Sequence, residues 1–196
     1  MKILVFGASS SRESINRAFA RHAAHRLQSE FLGDLEIDEM DLNDYEMPIY
    51  SIDRELEMGI PRPAQHFFEQ VGGADGLVIS YAEHNGFYSA AFKNIFDWAS
   101  RIAMKVFQGT PKLALSTSIG SRGGANVLRA TLESAPHFGA EIVASMSLPR
   151  FRDNFDVELG RVTNEEYRSK LGLALSQFAT RLSEIGSEPK LPAIST

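Results

Sequence analysis

The sequence predicts an α/β fold built on one five-stranded parallel sheet, strand order 2-1-3-4-5, with helices on both faces. Three observations carry that prediction. Strand-length runs such as Ile3–Phe6 are apolar at every position, which suits strands buried on both faces. Those runs alternate with segments whose apolar residues recur at helical spacing, the pattern of crossover connections between parallel strands. A chain of 196 residues fills one such domain and is short for two. Right-handed crossovers allow the order 2-1-3-4-5, whose winding reverses between strands 1 and 3. Residues 1–186 are expected to form a single domain, with 187–196 a flexible tail.

Taken in order, strand 1 runs into Gly7-Ala8-Ser9-Ser10-Ser11-Arg12-Glu13-Ser14-Ile15-Asn16, followed by a helical stretch from Arg17 to Gln28. Leu35–Leu42 partly alternates apolar and acidic residues, as a half-exposed edge strand does. Turn signals follow, from Asn43 to Gly59-Ile60-Pro61. A helix starting near Pro61 places Ala64, Phe67, Phe68 and Val71 on one face and stops at Gly72-Gly73. The third strand, Gly76–Ala82, ends at Glu83-His84-Asn85-Gly86. Tyr88–Lys105 reads as a helix with an apolar stripe and the charges Lys93, Asp97 and Arg101 outside. A fourth strand, Lys112–Thr117, delivers Ser118-Ile119-Gly120-Ser121-Arg122-Gly123-Gly124 to a helix over Ala125–Pro136. The fifth strand is Glu141–Leu148, and a long connection leads to a last helix, Asn164–Ile185.

Composition narrows the chemistry. Without cysteine there is no disulfide, thiolate catalysis or iron–sulfur ligation, so any redox chemistry requires a bound cofactor. The formal net charge of −5 argues against a nucleic-acid surface. None of the five histidines stands at a metal-ligand spacing, and no apolar stretch reaches membrane-spanning length. A cytoplasmic protein is therefore expected, with no metal, nucleic-acid or membrane partner.

The first loop concentrates the functional signal. The first turn of a helix leaves N–H groups without partners and carries the positive end of its dipole. Small residues let an anion approach, and Ser9, Ser11, Ser14, Asn16 and Arg12 add donors for phosphate oxygens. Ser and Asn are equally common as helix N-caps, so the loop alone leaves both readings open. Neither G-x-x-x-x-G-K-[ST] nor G-x-G-x-x-G is present, which favours a single terminal phosphate. In an open wound sheet ligands sit beyond the carboxyl ends of the strands, where the Ser-, Gly- and Asn-rich loops after strands 1, 3 and 4 lie.

Three stretches carry a resemblance to a known family. They are the first loop, Ala82-Glu83-His84-Asn85-Gly86-Phe87-Tyr88-Ser89 running into Phe92-Lys93-Asn94-Ile95-Phe96-Asp97-Trp98-Ala99-Ser100-Arg101, and Ser116-Thr117-Ser118-Ile119-Gly120-Ser121-Arg122-Gly123-Gly124. With Pro48-Ile49-Tyr50 and Gly59-Ile60-Pro61 they resemble the NAD(P)H-dependent FMN reductases, flavodoxin-like three-layer sandwiches that include azo dye, quinone and chromate reductases. The resemblance implies FMN as cofactor and NADPH or NADH as donor. A small molecule would be the acceptor: a flavin, quinone, azo compound or metal oxyanion. A homodimer or homotetramer is implied as well. It assigns the FMN phosphate to Ser9, Arg12, Ser14, the N–H of Ile15, and Asn16, with Ser11 beside them. The flavin ring and ribityl chain fall to Glu83, His84, Asn85 and Gly86, and the other ring edge to Thr117, Ser118, Gly120 and Gly124. No protein nucleophile or base is required, because the flavin carries the electrons in ping-pong exchange. Relatives often have Pro-Glu-Tyr-Asn-Gly where this chain has Ala82-Glu83-His84-Asn85-Gly86, and Ser-Pro-Gly where it has Ser118-Ile119-Gly120. The competing readings are a flavin-binding regulatory or structural protein with little turnover, a phosphoacceptor receiver domain, and a serine hydrolase using Ser9 or Ser118 with His84. The last lacks the G-x-S-x-G elbow, and the receiver lacks the acidic cluster that would hold Mg²⁺.

Overall fold

A computed structural model describes residues 1–187. Its elements are β1 (Lys2–Ala8), α1 (Ile15–Glu30), β2 (Glu36–Glu39), a 3-10 turn (Leu42–Tyr45), α2 (Ile52–Met58), α3 (Arg62–Gly72), β3 (Gly76–Tyr81), β4 (Glu83–His84), β5 (Phe87–Tyr88), α4 (Ala90–Ile102), β6 (Pro111–Thr117), α5 (Ala125–Ser134), β7 (Glu141–Leu148), α6 (Phe151–Asn154), β8 (Phe155–Asp156), β9 (Arg161–Val162) and α7 (Glu165–Ser187). Five strands pair in parallel in the order β2-β1-β3-β6-β7. This is the expected sheet, its fourth and fifth members being β6 and β7.

Side chains alternating along the central strands divide the core in two. Ile3, Val5, Val78, Leu113 and Leu115 pack against α1 and α7, while Leu4, Phe6, Leu77, Ile79 and Tyr81 pack against α3, α4 and α5. Buried apolar surface on both faces is why the strands read as continuous apolar runs. Gly7 permits the closest approach of α1 to β1: a Cβ there would lie 2.3 Å from the backbone nitrogen of Arg17. A lysine amine sits inside this core. Lys112 on β6 is fully buried, with its Nζ 3.2 Å from the Tyr81 hydroxyl and 3.4 Å from the centroid of the Phe107 ring.

The differences from the expected elements have local causes. The edge strand ends at Glu39 because Asp41 caps the 3-10 turn through the N–H of Asn43, so Leu42 turns inward instead of extending the strand. Helix α2 is absent from the sequence reading because all its residues stay out of the core and its apolar positions form no inward stripe. Asn85 and Gly86, both at positive φ (51° and 83°), close an antiparallel β4–β5 hairpin. Asn-Gly between two β pairs is the preferred type I′ turn, a signal overlooked when these residues are treated as an open loop. The connection Pro149–Phe155 contains α6 and leads into the β8–β9 hairpin. Asn164 receives the N–H of Glu166 and so starts α7 as expected, but the helix runs on past Ile185 to Ser187, the residue where the tail was expected to begin. The rest of that tail, residues 188–196, lies outside the described residues.

Candidate functional site

The carboxyl ends of β1, β3 and β6 carry the loops Ser9–Ser14, Ala82–Tyr88 and Ser118–Gly124 to one edge of the sheet. Between them lies a cleft of about 240 Å³ lined by Ser9, Ser11, Glu13, Ser14, Ile15, Asn16, Ala82, Glu83, His84, Thr117, Ser118 and Ile119. The chain thus brings members of all three sequence-predicted groups into one concavity. Glu13, Ala82 and Ile119 line it without having been assigned a role there.

The first loop is anchored, yet its donors are free. Ser14 caps α1 by accepting the N–H of Arg17 at 3.2 Å, and Ser9 accepts the N–H of Ser11 at 3.2 Å. Among the described residues, the backbone N–H groups of Ser10, Arg12, Glu13, Ile15 and Asn16 have no protein acceptor. Free N–H groups at the positive end of a sixteen-residue helix form an anion site, and the neighbouring hydroxyls match phosphate oxygens. The donor set therefore suits a terminal phosphate. Arg12 is exposed and lines an adjoining, larger cleft of about 790 Å³ between α1 and the α6–β9 segment, and it is not among the residues that line the smaller one. In that larger cleft His22 is half-buried, and burial together with Arg26 lowers its pKa to about 4, leaving it neutral.

Several predicted ligands have side chains committed elsewhere. The Asn16 carboxamide is buried: its Oδ1 accepts from the Ser80 hydroxyl at 2.7 Å and from the Thr117 N–H at 3.1 Å, and its Nδ2 donates to the Thr117 carbonyl at 3.2 Å. It ties α1 to β3 and β6, so only its backbone N–H is left free toward the cleft. The Thr117 hydroxyl donates to the carbonyl of Leu148 at 2.7 Å. The Glu83 carboxylate accepts the N–H groups of Asn126 and Val127 at 2.8 and 3.0 Å, which turns it toward α5. His84 and Asn85 are exposed at the hairpin tip, and only His84 lines the cleft.

In the third loop Ser118 remains half-exposed, with its hydroxyl near the N–H of Gly120 at 3.3 Å. Gly123 and Gly124 are both left-handed (φ 59° and 79°), and a Cβ on Gly123 would fall 2.4 Å from the Ser147 hydroxyl. Neither Gly86, Gly120 nor Gly124 lines the cleft; they shape the loops around it. Ser89 was missed by the sequence reading. It caps α4 and donates to the Ala8 carbonyl at 2.8 Å, joining the second loop to the first. A hydroxyl just before an apolar helical stripe was the available signal.

The fold defines a flavodoxin-like protein, and the free N–H groups at its switch point give the first loop a donor set that suits a phosphate. Over 93% of its length the chain superposes on 97% of FerB, a flavoenzyme NAD(P)H:(acceptor) oxidoreductase from Paracoccus denitrificans, with a TM-score of 0.71 at 22% identity. It covers 99% of a flavodoxin from Pseudomonas aeruginosa with 93% of its own length, at 15% identity and a TM-score of 0.54. At these identities the likeness shows the fold. The family described as NADPH-dependent FMN reductase matches residues 1–151, and the chain belongs to that family. A Burkholderia protein named 2-hydroxy-1,4-benzoquinone reductase is 35% identical over 126 residues, 64% of this chain and 64% of that one. The match thus spans just under two thirds of that relative's length.

Proposed function

We propose that this protein is an FMN-dependent NAD(P)H oxidoreductase that passes electrons from a nicotinamide donor to a small acceptor by ping-pong exchange. The observation that carries this reading is the set of unpartnered N–H groups of Ser10, Arg12, Glu13, Ile15 and Asn16 beside a cleft walled by the other two loops. Family membership supplies the cofactor, and the Burkholderia relative's name favours a quinone over an azo compound, a metal oxyanion or a second flavin as acceptor. When bound, FMN supplies the electron-carrying chemistry. The chain's own part is to bind and orient: the N–H groups of the first loop and the hydroxyls of Ser11 and Ser14 hold the phosphate. Ala82, His84, Ser118 and Ile119, which line the cleft, would flank the ring, and the exposed hairpin tip would leave room for donor and acceptor in turn.

Residues 1–186 act as one cofactor-binding domain in this reading, in the cytoplasm, where the nicotinamide donor is supplied. Among the described residues no helix is long and apolar enough to cross a membrane. Association into a homodimer or homotetramer belongs to the same proposal. It is supported by Ile49, Ile52, Leu56 and Met58, which expose apolar side chains on α2 and the segment before it.

The test is the visible spectrum of the purified protein. Flavin absorption that is released as FMN on denaturation and bleached by NADPH or NADH is the expected result. A colourless protein that takes up no added FMN overturns the reading.

A further inference from the structure

Helix α5 begins without a cap of its own. Its N-cap is Gly124, which has no side chain to offer the first turn. The donors that an N-cap side chain would take are the N–H groups of the second and third helical residues. In α5 these are Asn126 and Val127, and both meet one oxygen of Glu83, a residue 43 and 44 positions earlier in the chain. The Asn126 carboxamide nitrogen lies 3.4 Å from the other oxygen. A carboxylate from a different loop thus stands where a local Ser or Asp would normally sit.

Two consequences follow. Glu83 opens the β4–β5 hairpin, pairing with Tyr88 while His84 pairs with Phe87, so its bonds to α5 fasten the second loop to the end of the third. The first turn of α5 is also a source of positive potential that would attract any nearby anion. Glu83 fills that position with a protein charge.

We propose that Glu83 is a positioning residue for the flavin: it latches the hairpin to α5 and keeps the positive end of that helix from the ring. This rests on the FMN reading above. A flavin gains negative charge on reduction, so a free helix N-terminus beside it would favour the reduced form. The Glu83 carboxylate neutralises that influence and holds the midpoint potential down.

Two variants separate latch from charge. Glu83→Gln keeps a similar length and an acceptor oxygen without the charge; Glu83→Ala removes both. Amide exchange on the purified chain, without added flavin, is expected to show protection at Asn126 and Val127 falling at least tenfold in Glu83→Ala and little changed in Glu83→Gln. With FMN bound, Glu83→Gln is expected to bind reduced over oxidised flavin about tenfold more strongly than the parent does. That is an upward shift of about 30 mV for a two-electron couple. Unaltered exchange in Glu83→Ala overturns the latch, and an unaltered midpoint in Glu83→Gln overturns the electrostatic role. A chain that takes up no FMN fails the cofactor reading instead, while the exchange arm still decides the latch.

Discussion

Single residues do different work from what their types suggest. Asn16 reads as a phosphate ligand from its place in the loop, but its carboxamide makes three buried bonds to Ser80 and Thr117. Sequence shows the donor and not the distant strands that occupy it. Removing it in Asn16→Ala leaves the Ser80 hydroxyl and the Thr117 N–H without that acceptor, a cost of about 3 kcal/mol. Calorimetry should then show Tm lower by roughly 6–12 °C. Lys112 makes a second case. Burial lowers its pKa from 10.5 to about 7, against the attraction of the Phe107 ring. The unfolded chain therefore binds the proton more tightly than the folded one, and the protein loses stability as pH falls from 10.5 towards 7, with no further loss from this group below that. Denaturation of Lys112→Met alongside the parent should show the stability difference moving in the variant's favour as pH falls from about 10 to about 7, by up to about 1.4 kcal/mol per unit. A difference that does not vary with pH would mean the amine titrates normally.

At the scale of elements, the long ones were legible and the short ones were not. The apolar runs of β1, β3 and β6 mark themselves because both sheet faces are covered, and Asn164 and Gly72-Gly73 mark helix ends by their capping chemistry. Helix α2, α6 and the β8–β9 pair are too short for periodicity to show and depend on tertiary neighbours. The loops around the cleft are defined by backbone that only certain residues tolerate. Gly123→Ala would place a methyl group against the Ser147 hydroxyl and the Pro149 nitrogen at positive φ, so a loss of at least about 1 kcal/mol is expected. Faster proteolytic nicking between Ser118 and Ala125 would be its signature. Ser14→Ala removes the α1 cap at about 1 kcal/mol and one phosphate donor with it. Stability and FMN affinity should therefore both fall, as read by thermal melts and fluorescence titration. Loss of stability with unchanged affinity would leave Ser14 a cap only.

Over the whole molecule, strand and helix alternation with right-handed crossovers allowed the sheet order that is observed, and that order places the loops at one edge. That inference runs from topology and needs no knowledge of side-chain partners, which is why the edge carrying the cleft was readable while the hydrogen-bond partners of Glu83 and Thr117 were not. Assembly belongs to this scale too. With Ile49, Ile52 and Leu56 between 54% and 79% exposed, sedimentation at micromolar concentration is expected to show a dimer or tetramer that Leu56→Asp shifts towards monomer. A parent chain that sediments as a monomer would leave that surface without an assembly role. The Asn16 bonds have a last consequence at this level. Because one carboxamide already stitches the first helix to two strands, the floor of the cleft is held in place before any guest arrives. Little conformational entropy remains to be surrendered on association, so uptake of a cofactor should be fast and accompanied by small structural change.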